Sequence, residues 1–431
     1  MSVETTTYTE FTNRIHGRTG GRRIPLDVSI EVTRRCPLKC AHCYNNLPMA
    51  DREARSRELG TEEHIRLLDQ LAAAGGLWLL FTGGEIFARA DFLDIYRHAK
   101  RKGFLITLFT NGTLITERIA DTLAEYRPFS IEITLYGRTR ETYERLTGVP
   151  GSYDRCLNGI RLLRERGLPL ALKTVAVSLN KHELPGMKEF VERELGLPFK
   201  FDAMMTPRID CSASPLEVRL SPAEIVQLDL DDPVRVRDWQ VFARDFIRPQ
   251  QAPGHEDDVY HCGAGLNSFN VGPDGNMSLC VLSQQGGLDL KTSDVASGWS
   301  GYVSAQRARK TRRVTKCTAC QMKSVCGMCP ANAELEAGDP ETPVDFLCHV
   351  SHLRALAFGW AFPEHGECEY CSGGARRAEL EREAEGLKTA SGGLPEPRRT
   401  VRLRVLREPG GPGASCGAGC GPHGHAGLEE R

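Results

Sequence analysis

Long apolar runs are missing from this chain of 431 residues. No stretch approaches the roughly 18 consecutive apolar side chains that a membrane-spanning helix requires, which excludes such a helix. One-sided charge is missing as well: 55 Lys and Arg stand against 56 Asp and Glu, a formal net charge of −1. That balance removes the global electrostatic case for a nucleic-acid partner or an anionic lipid surface. The polar stretch from Met1 to Arg23 lacks the apolar core of a secretory signal. No internal repeat is visible. The sequence therefore predicts a cytoplasmic protein with no nucleic-acid and no membrane partner.

Cysteine, by contrast, is plentiful, with 16 residues. In a reducing cytosol that number argues for metal or redox chemistry rather than disulfides. The cysteines are clustered: Cys36, Cys40 and Cys43, then a group from Cys262 to Cys348, then the pairs Cys368/Cys371 and Cys416/Cys420. Cys156 and Cys211 stand alone and are expected to be small apolar fillers. The length accommodates two domains with real cores.

Through about residue 205 the chain alternates strand-like and helix-like segments. Apolar runs occur at Leu26–Val32, Leu77–Phe81, Leu105–Phe109, Phe129–Leu135, Leu170–Val177 and Phe199–Met205. Between them lie segments of helical period, such as Thr61–Ala74, where Ile65, Leu68, Leu71 and Ala72 share a face. This alternation predicts an α/β fold of parallel strands with helices outside, a partial (β/α)6 TIM-like barrel over residues 24–206. Residues 207–254 read as a connector containing one marked helix start, Ser221-Pro222-Ala223-Glu224. A small cysteine-rich domain over 255–360 and a charged, then Gly/Pro-rich tail over 361–431 complete the expected organisation. Much of Ser372–Arg431 is expected to be disordered.

In barrels of this kind chemistry sits on the loops after the strands' C-terminal ends. The first such loop holds Cys36-x3-Cys40-x2-Cys43, three thiolates on one short segment. Three ligands leave one iron of a cubane open for a non-protein ligand. A structural zinc would need a fourth donor such as His42. The second loop holds Gly83-Gly84-Glu85, where glycines permit close backbone approach and the carboxylate can hold an ammonium group. The third holds Thr110-Asn111-Gly112.

With these motifs, residues 24–205 resemble the radical S-adenosylmethionine (SAM) superfamily. The resemblance implies that Cys36, Cys40 and Cys43 hold a catalytic [4Fe-4S] cluster whose open iron chelates SAM. One electron then cleaves SAM to methionine and a 5′-deoxyadenosyl radical that abstracts a substrate hydrogen. It further implies that Gly83, Gly84 and Glu85 meet the methionine amino group, and that Asn111, Thr134 and Asn180 contact ribose or adenine. The chain departs from the family at His42, where an aromatic residue is frequent, and at Ile86, where proline is frequent; neither removes a ligand.

The second cysteine group runs Cys262, Cys280, Cys317-x2-Cys320-x5-Cys326-x2-Cys329, Cys348. Seven cysteines exceed one zinc site. Gly272-Pro273-Asp274-Gly275 reads as a tight hairpin turn presenting Cys280. The arrangement resembles the SPASM extension of peptide-modifying radical SAM enzymes, which carries two auxiliary [4Fe-4S] clusters. That resemblance assigns Cys262, Cys280 and Cys329 to the first auxiliary cluster, and Cys317, Cys320, Cys326 and Cys348 to the second. The first then has an open iron or a fourth ligand from His255, His261 or Cys211. An open iron suits a substrate thiolate, since soft sulfur is its natural ligand. Cys368/Cys371 and Cys416/Cys420, the latter followed by His423 and His425, could bind zinc or a further cluster, but in a flexible tail they are expected to be adventitious.

The resemblance implies a peptide maturase acting on a ribosomally made precursor peptide, with thioether formation the expected reaction. C–C or C–O cross-linking, epimerisation with Cys156 or Cys211 as hydrogen donor, and decarboxylation of a small cofactor precursor are the alternatives. A non-catalytic zinc scaffold is a remote one. Twenty-three polar residues before the first strand are too few for a leader-binding domain, which predicts a separate leader-recognition protein. Flavodoxin or ferredoxin is the expected reductant.

Overall fold

The computed structural model describes residues 7–19, 22–247, 258–283, 286–318, 320, 322–323, 325–362 and 368–391. His255, Cys416, Cys420, His423 and His425 lie outside the described residues. Each apolar run forms a strand: β1 Asp27–Thr33, β2 Trp78–Gly83, β3 Leu105–Thr110, β4 Ser130–Thr134, β5 Leu170–Val175 and β6 Phe199–Asp202. All five neighbouring pairs are parallel and follow chain order. Burial alternates along them. Ile106, Leu108, Ile131 and Ile133 pack on the helical layer in one core with Tyr96, Leu123, Ile160 and Leu163. The opposite face of β3–β6 carries Phe109, Glu132, Lys173 and Lys200, which touch one another: Lys173 lies over the Phe109 ring and both lysines pair with Glu132.

The barrel sheet does not stop at six strands. Three further strands, β7 Ser268–Val271, β8 Asn276–Ser278 and β9 Leu288–Asp289, extend it past β1 in the order β9-β8-β7-β1-β2-β3-β4-β5-β6. β7 lies parallel to β1, from Asp27↔Ser268 to Ile30↔Val271, and β8 returns antiparallel. The turn between them is the expected one: Gly275 N–H donates to the Gly272 carbonyl at 3.0 Å and has φ +87°. The cysteine-rich segment thus covers the open edge of β1, an edge that would otherwise present unpaired backbone groups.

Three stretches differ from the sequence reading. Residues Tyr8–Thr19 form a helix although their apolar content is low. Tyr8 packs on Phe129 at 4.9 Å, and Phe11 and His16 pack on Trp78, so aromatic contacts at the strands' N-terminal ends replace an apolar stripe. The stretch read as a connector carries the helices Pro222–Leu230 and Pro233–Phe246. Ser221 caps the first through Glu224 N–H, as its sequence predicts. Both helices join a second core with Cys348, Leu353, Phe358, Tyr370 and Leu380, and buried Asp229 pairs with Arg354 and Arg235 across it. The expected disorder from Ser372 does not begin there: Arg377–Ala390 is a helix that buries Leu380, Ala384 and Leu387. Among the described residues no helix is long and apolar enough to cross a membrane.

Candidate functional site

The loop after β1 is held by buried charge. The carboxylate of Glu58 receives Arg35 Nε and Nη2 at 2.8 and 2.9 Å and Arg89 Nη1 at 3.4 Å, and the Thr33 hydroxyl also donates to it. Arg35 immediately precedes Cys36, so this cluster fixes where the cysteine loop leaves the sheet. Its four members, Thr33, Arg35, Glu58 and Arg89, come from three separate stretches of sequence, and no local pattern announces the set. Removing one member of such a buried set costs about 3–5 kcal/mol, because the remaining charges lose their partner. Glu58→Ala is expected to lower unfolding free energy by that order, read from a denaturation midpoint at unchanged m-value; a change under about 1 kcal/mol contradicts this role.

Cys36, Cys40 and Cys43 converge: the Cys43 charge raises the pKa of both Cys36 and Cys40, and that of Cys36 raises Cys40. The Cys36 sulfur accepts from Leu38 N–H and Asn111 Nδ2, both at 3.5 Å, and Tyr136 bonds Cys40. Such donors suit a thiolate bound to iron and tune its potential. Among the described residues, only one group of three ligating atoms lies mutually within 4.8 Å, and it is elsewhere. The wider spacing here fits a multi-iron cluster rather than a single zinc ion, and the His42 ring lies tilted against that of Tyr136, 5.3 Å between centroids.

Burial, with the nearby Glu85 charge, pushes Cys36 up to about 12. Burial likewise raises Cys280 and Cys326 to about 12. Iron binds the thiolate, so any of these cysteines that holds iron must release a proton on loading. Iron affinity of the apo-protein is expected to rise about tenfold per pH unit for each thiol released, anywhere below pH 12. Chelator competition at pH 7 and pH 8 measures this, and a pH-independent affinity would contradict it. The sign reverses for the apo fold: thiols ionising near 9.0 when unfolded and about 12 when folded make it lose stability as pH rises past 9.

The glycines of the second loop serve a backbone contact. Gly84 N–H donates to the Thr33 carbonyl at 2.7 Å and Glu85 N–H to the Arg35 carbonyl at 3.1 Å. A Cβ on Gly83 would sit 2.1 Å from the Thr33 carbonyl oxygen, and one on Gly84 2.4 Å from that of Arg34. Gly83 also has φ +134°. The first and second loops are thus packed main chain to main chain. Glu85 is fully buried and turned toward the third loop, accepting from Thr110 Oγ1 and Asn111 N at 2.7 Å each and from Phe87 N at 3.2 Å. Burial pushes its pKa up to about 7 against those three donors. Its carboxylate is therefore occupied in tying loop to loop.

Asn111 links the third loop to the first: its Oδ1 accepts from Thr113 while its Nδ2 reaches Cys36. Thr134 ends β4, half-buried beside Lys173 in the register. Asn180 needs correction as a ligand contact. It is buried, its Oδ1 accepts from Val177 N–H, and its Nδ2 serves the Tyr136 and Val175 carbonyls, so the side chain pins the turns after β4 and β5. Cys156 is a core filler as expected, buried and bonded to Tyr143, which removes it as a hydrogen donor to a substrate. Cys211 is not a filler. It is exposed at φ +65° in a turn closed by its N–H to the Arg208 carbonyl. Arg208 in turn grips Cys43 and Asn46, so this turn straps the first cysteine loop.

The second group of cysteines lies close enough for mutual influence, with Cys329 feeling both Cys262 and Cys326. Cys280 feels both Cys329 and Cys262. Cys317 bonds Cys348 and feels Cys326 and Cys320. Cys329 caps the helix Pro330–Ala337, its sulfur accepting Asn332 N–H at 3.2 Å, where the helix dipole favours a thiolate. His261, beside Cys262, is exposed. Cys368 and Cys371 also need correction: both are buried, against His352.

Residues 30–191 match the family model described as the radical SAM superfamily. A PqqA peptide cyclase of Rhodopseudomonas palustris is 29% identical over 82% of this chain and 93% of its own length. An AdoMet-dependent heme synthase of Methanosarcina barkeri is 25% identical over 73% and 94%. Among solved structures, Streptococcus suis SuiB bound to its precursor peptide SuiA superposes with TM-score 0.59 at 19% identity, over 81% of this chain and 82% of that one. Native anSMEcpe with AdoMet and the Cp18Cys peptide gives 0.57 at 14%, over 84% and 99%. At these identities the structural likeness speaks for the fold.

Proposed function

This chain belongs to the radical SAM superfamily and is a radical SAM enzyme using a [4Fe-4S] cluster and SAM; on that premise we propose that it modifies a ribosomally made precursor peptide, forming a thioether. The bound cluster and SAM supply a 5′-deoxyadenosyl radical. The residues of the chain do the rest. Cys36, Cys40 and Cys43 are the three protein ligands, and Asn111 and the Leu38 amide set the electrostatics at Cys36. Gly83 and Gly84 bring the second loop against the first, and Glu85 locks the third loop to it, leaving backbone groups of the Gly83–Glu85 turn for the methionine end of SAM. Asn111 and Thr134 stand at the ends of β3 and β4, for the nucleoside end.

The observation that carries the peptide reading is the group of further thiols beside the barrel. We assign Cys262, Cys280 and Cys329 to one set, since Cys280 feels the other two, and Cys317, Cys320, Cys326 and Cys348 to another, since Cys317 feels the other three. Two auxiliary [4Fe-4S] clusters of SPASM type fit them, the first with an iron left for a substrate cysteine. Joining that sulfur to carbon removes one hydrogen atom, as 5′-deoxyadenosine, plus one proton and one electron. An oxidised auxiliary cluster is a suitable acceptor for the electron. Relatives support this reading: PqqA peptide cyclase by its name acts on a peptide, and SuiB and anSMEcpe have been solved with peptides. Flavodoxin or ferredoxin is the proposed reductant, and a separate leader-recognition protein the proposed partner.

The test is incubation of reconstituted enzyme, reductant and SAM with short peptides encoded beside its gene. A product two hydrogen atoms lighter that no longer alkylates at cysteine supports the thioether. A product equally lighter with its thiol intact means C–C or C–O cross-linking, as the cyclase relatives suggest. The heme synthase relatives favour one second reading, decarboxylation of a small cofactor precursor. Carbon dioxide release from an iron porphyrin with no peptide product would establish that instead.

A further inference from the structure

We propose that His352, Cys368 and Cys371 supply three of the four ligands of a tetrahedral metal site of the zinc type, the fourth position being taken by water or a further donor. The three ligating atoms lie within 4.8 Å of one another, and it is the one such group among the described residues. His352 Nε2 is 3.6 Å from the Cys368 sulfur and 4.0 Å from that of Cys371. A tetrahedral ion with Zn–N near 2.05 Å and Zn–S near 2.3 Å sets nitrogen and sulfur about 3.6 Å apart. The spacing therefore suits one ion.

The surroundings are built for it. All three side chains are buried, at 2%, 4% and 2% exposure. His352 Nδ1 lies 2.7 Å from the Cys348 carbonyl oxygen, which can only accept, so the hydrogen sits on Nδ1 and the Nε2 lone pair faces the sulfurs. That second hydrogen bond is the device that orients metal-bound histidines elsewhere. Cys371 N–H donates to the Cys368 carbonyl at 3.2 Å and Gly374 N–H to that of Cys371 at 2.9 Å, closing a knuckle. Only glycine fits at its end: a Cβ on Gly374 would lie 2.4 Å from the Glu369 carbonyl oxygen and 2.5 Å from that of Cys368. Tyr370, buried within the knuckle, stacks on the His352 ring at 5.3 Å.

The site has a structural consequence. Helix Asp345–Ala357 carries Cys348 and His352 one turn apart. An ion on His352 would staple the C-terminal segment, with its helix Arg377–Ala390, to the helix that presents Cys348. Two thiolates and an imidazole are a borderline-soft set, which favours zinc over magnesium or calcium. The inference does not rest on the reaction proposed above, because the ligands are other residues and the readout is the metal itself.

The experiment measures zinc and iron together in the full-length protein purified without oxygen, for the unaltered chain, Cys371→Ser and His352→Gln. It adds the absorption spectrum of protein grown with cobalt in place of zinc. One equivalent of zinc, falling at least tenfold in both variants at unchanged iron, is the expected result. Intense tetrahedral d–d and thiolate charge-transfer bands in the cobalt protein are expected with it. If the variants do not fold, the unaltered chain's zinc content and cobalt spectrum decide alone. Absence of zinc and of those bands, zinc unchanged in the variants, or loss of iron in place of zinc would each overturn the proposal.

Discussion

Alanine at Cys36 is expected to lower 5′-deoxyadenosine formation by about 1000-fold or more, because two thiolates do not hold a cubane with an open iron and no other group supplies that chemistry. Cys40→Ala and Cys43→Ala should behave alike, since three ligands acting as one unit do not lose function additively. Cys156→Ala is the control. Its side chain is buried in the helical layer, so it should cost stability on the order of 1 kcal/mol and leave SAM cleavage within a few-fold. High-performance chromatography of the nucleoside after reduction reads all four. Retained cleavage in Cys36→Ala would remove the loop from the chemistry altogether.

The second large effect comes from a methyl group. Gly84→Ala would place a Cβ 2.4 Å from the Arg34 carbonyl oxygen and 2.6 Å from that of Arg35. Real Cβ atoms do not approach main chain so closely, and backbone on both sides leaves little to give. The second loop must then move off the first, taking Glu85 from Thr110 and Asn111. Such a displacement by about an ångström costs about 100-fold in rate. We expect at least that loss of SAM cleavage, with weakened SAM binding. Gly301→Ala, where a Cβ meets nothing within 4 Å, should be neutral. Equal, small effects at both positions would mean that the loop contact does not matter to the site.

How much of this was legible depends on range in sequence. β1 to β6 were readable because each is an apolar run bounded by turns, and Cys36, Cys40 and Cys43 because three thiols share one loop. The contact of Gly83 and Gly84 with residues 33–35 could be anticipated only as a need for close approach. Which backbone they approach is a tertiary fact. The pairing of β1 with β7 joins residues 27–30 to 268–271, and nothing local in either strand encodes the other. The Glu58, Arg35 and Arg89 cluster is likewise assembled from separate loops.

The C-terminal region shows the same limit more sharply. Gly-rich and charged composition argued for disorder, but Leu380, Ala384 and Leu387 recur on one face and find a partner in the second core. Cys368 and Cys371 then become a candidate site only because His352, sixteen residues earlier on a different element, points at them. Asn180 erred in the opposite direction: a polar residue at a strand end resembles a ligand contact, yet its hydrogen bonds go to the protein's own backbone and to the Thr174 hydroxyl.

One measurement bears most directly on the whole account: iron and labile sulfide per chain after anaerobic reconstitution, with 5′-deoxyadenosine assayed on the same sample. The account predicts about twelve irons, matched by sulfide, in protein that cleaves SAM once reduced. Iron near four with cleavage intact would leave the first loop's cluster and contradict both auxiliary ones, and with them the thioether route. Iron-free protein that forms no deoxyadenosine would contradict the enzyme itself.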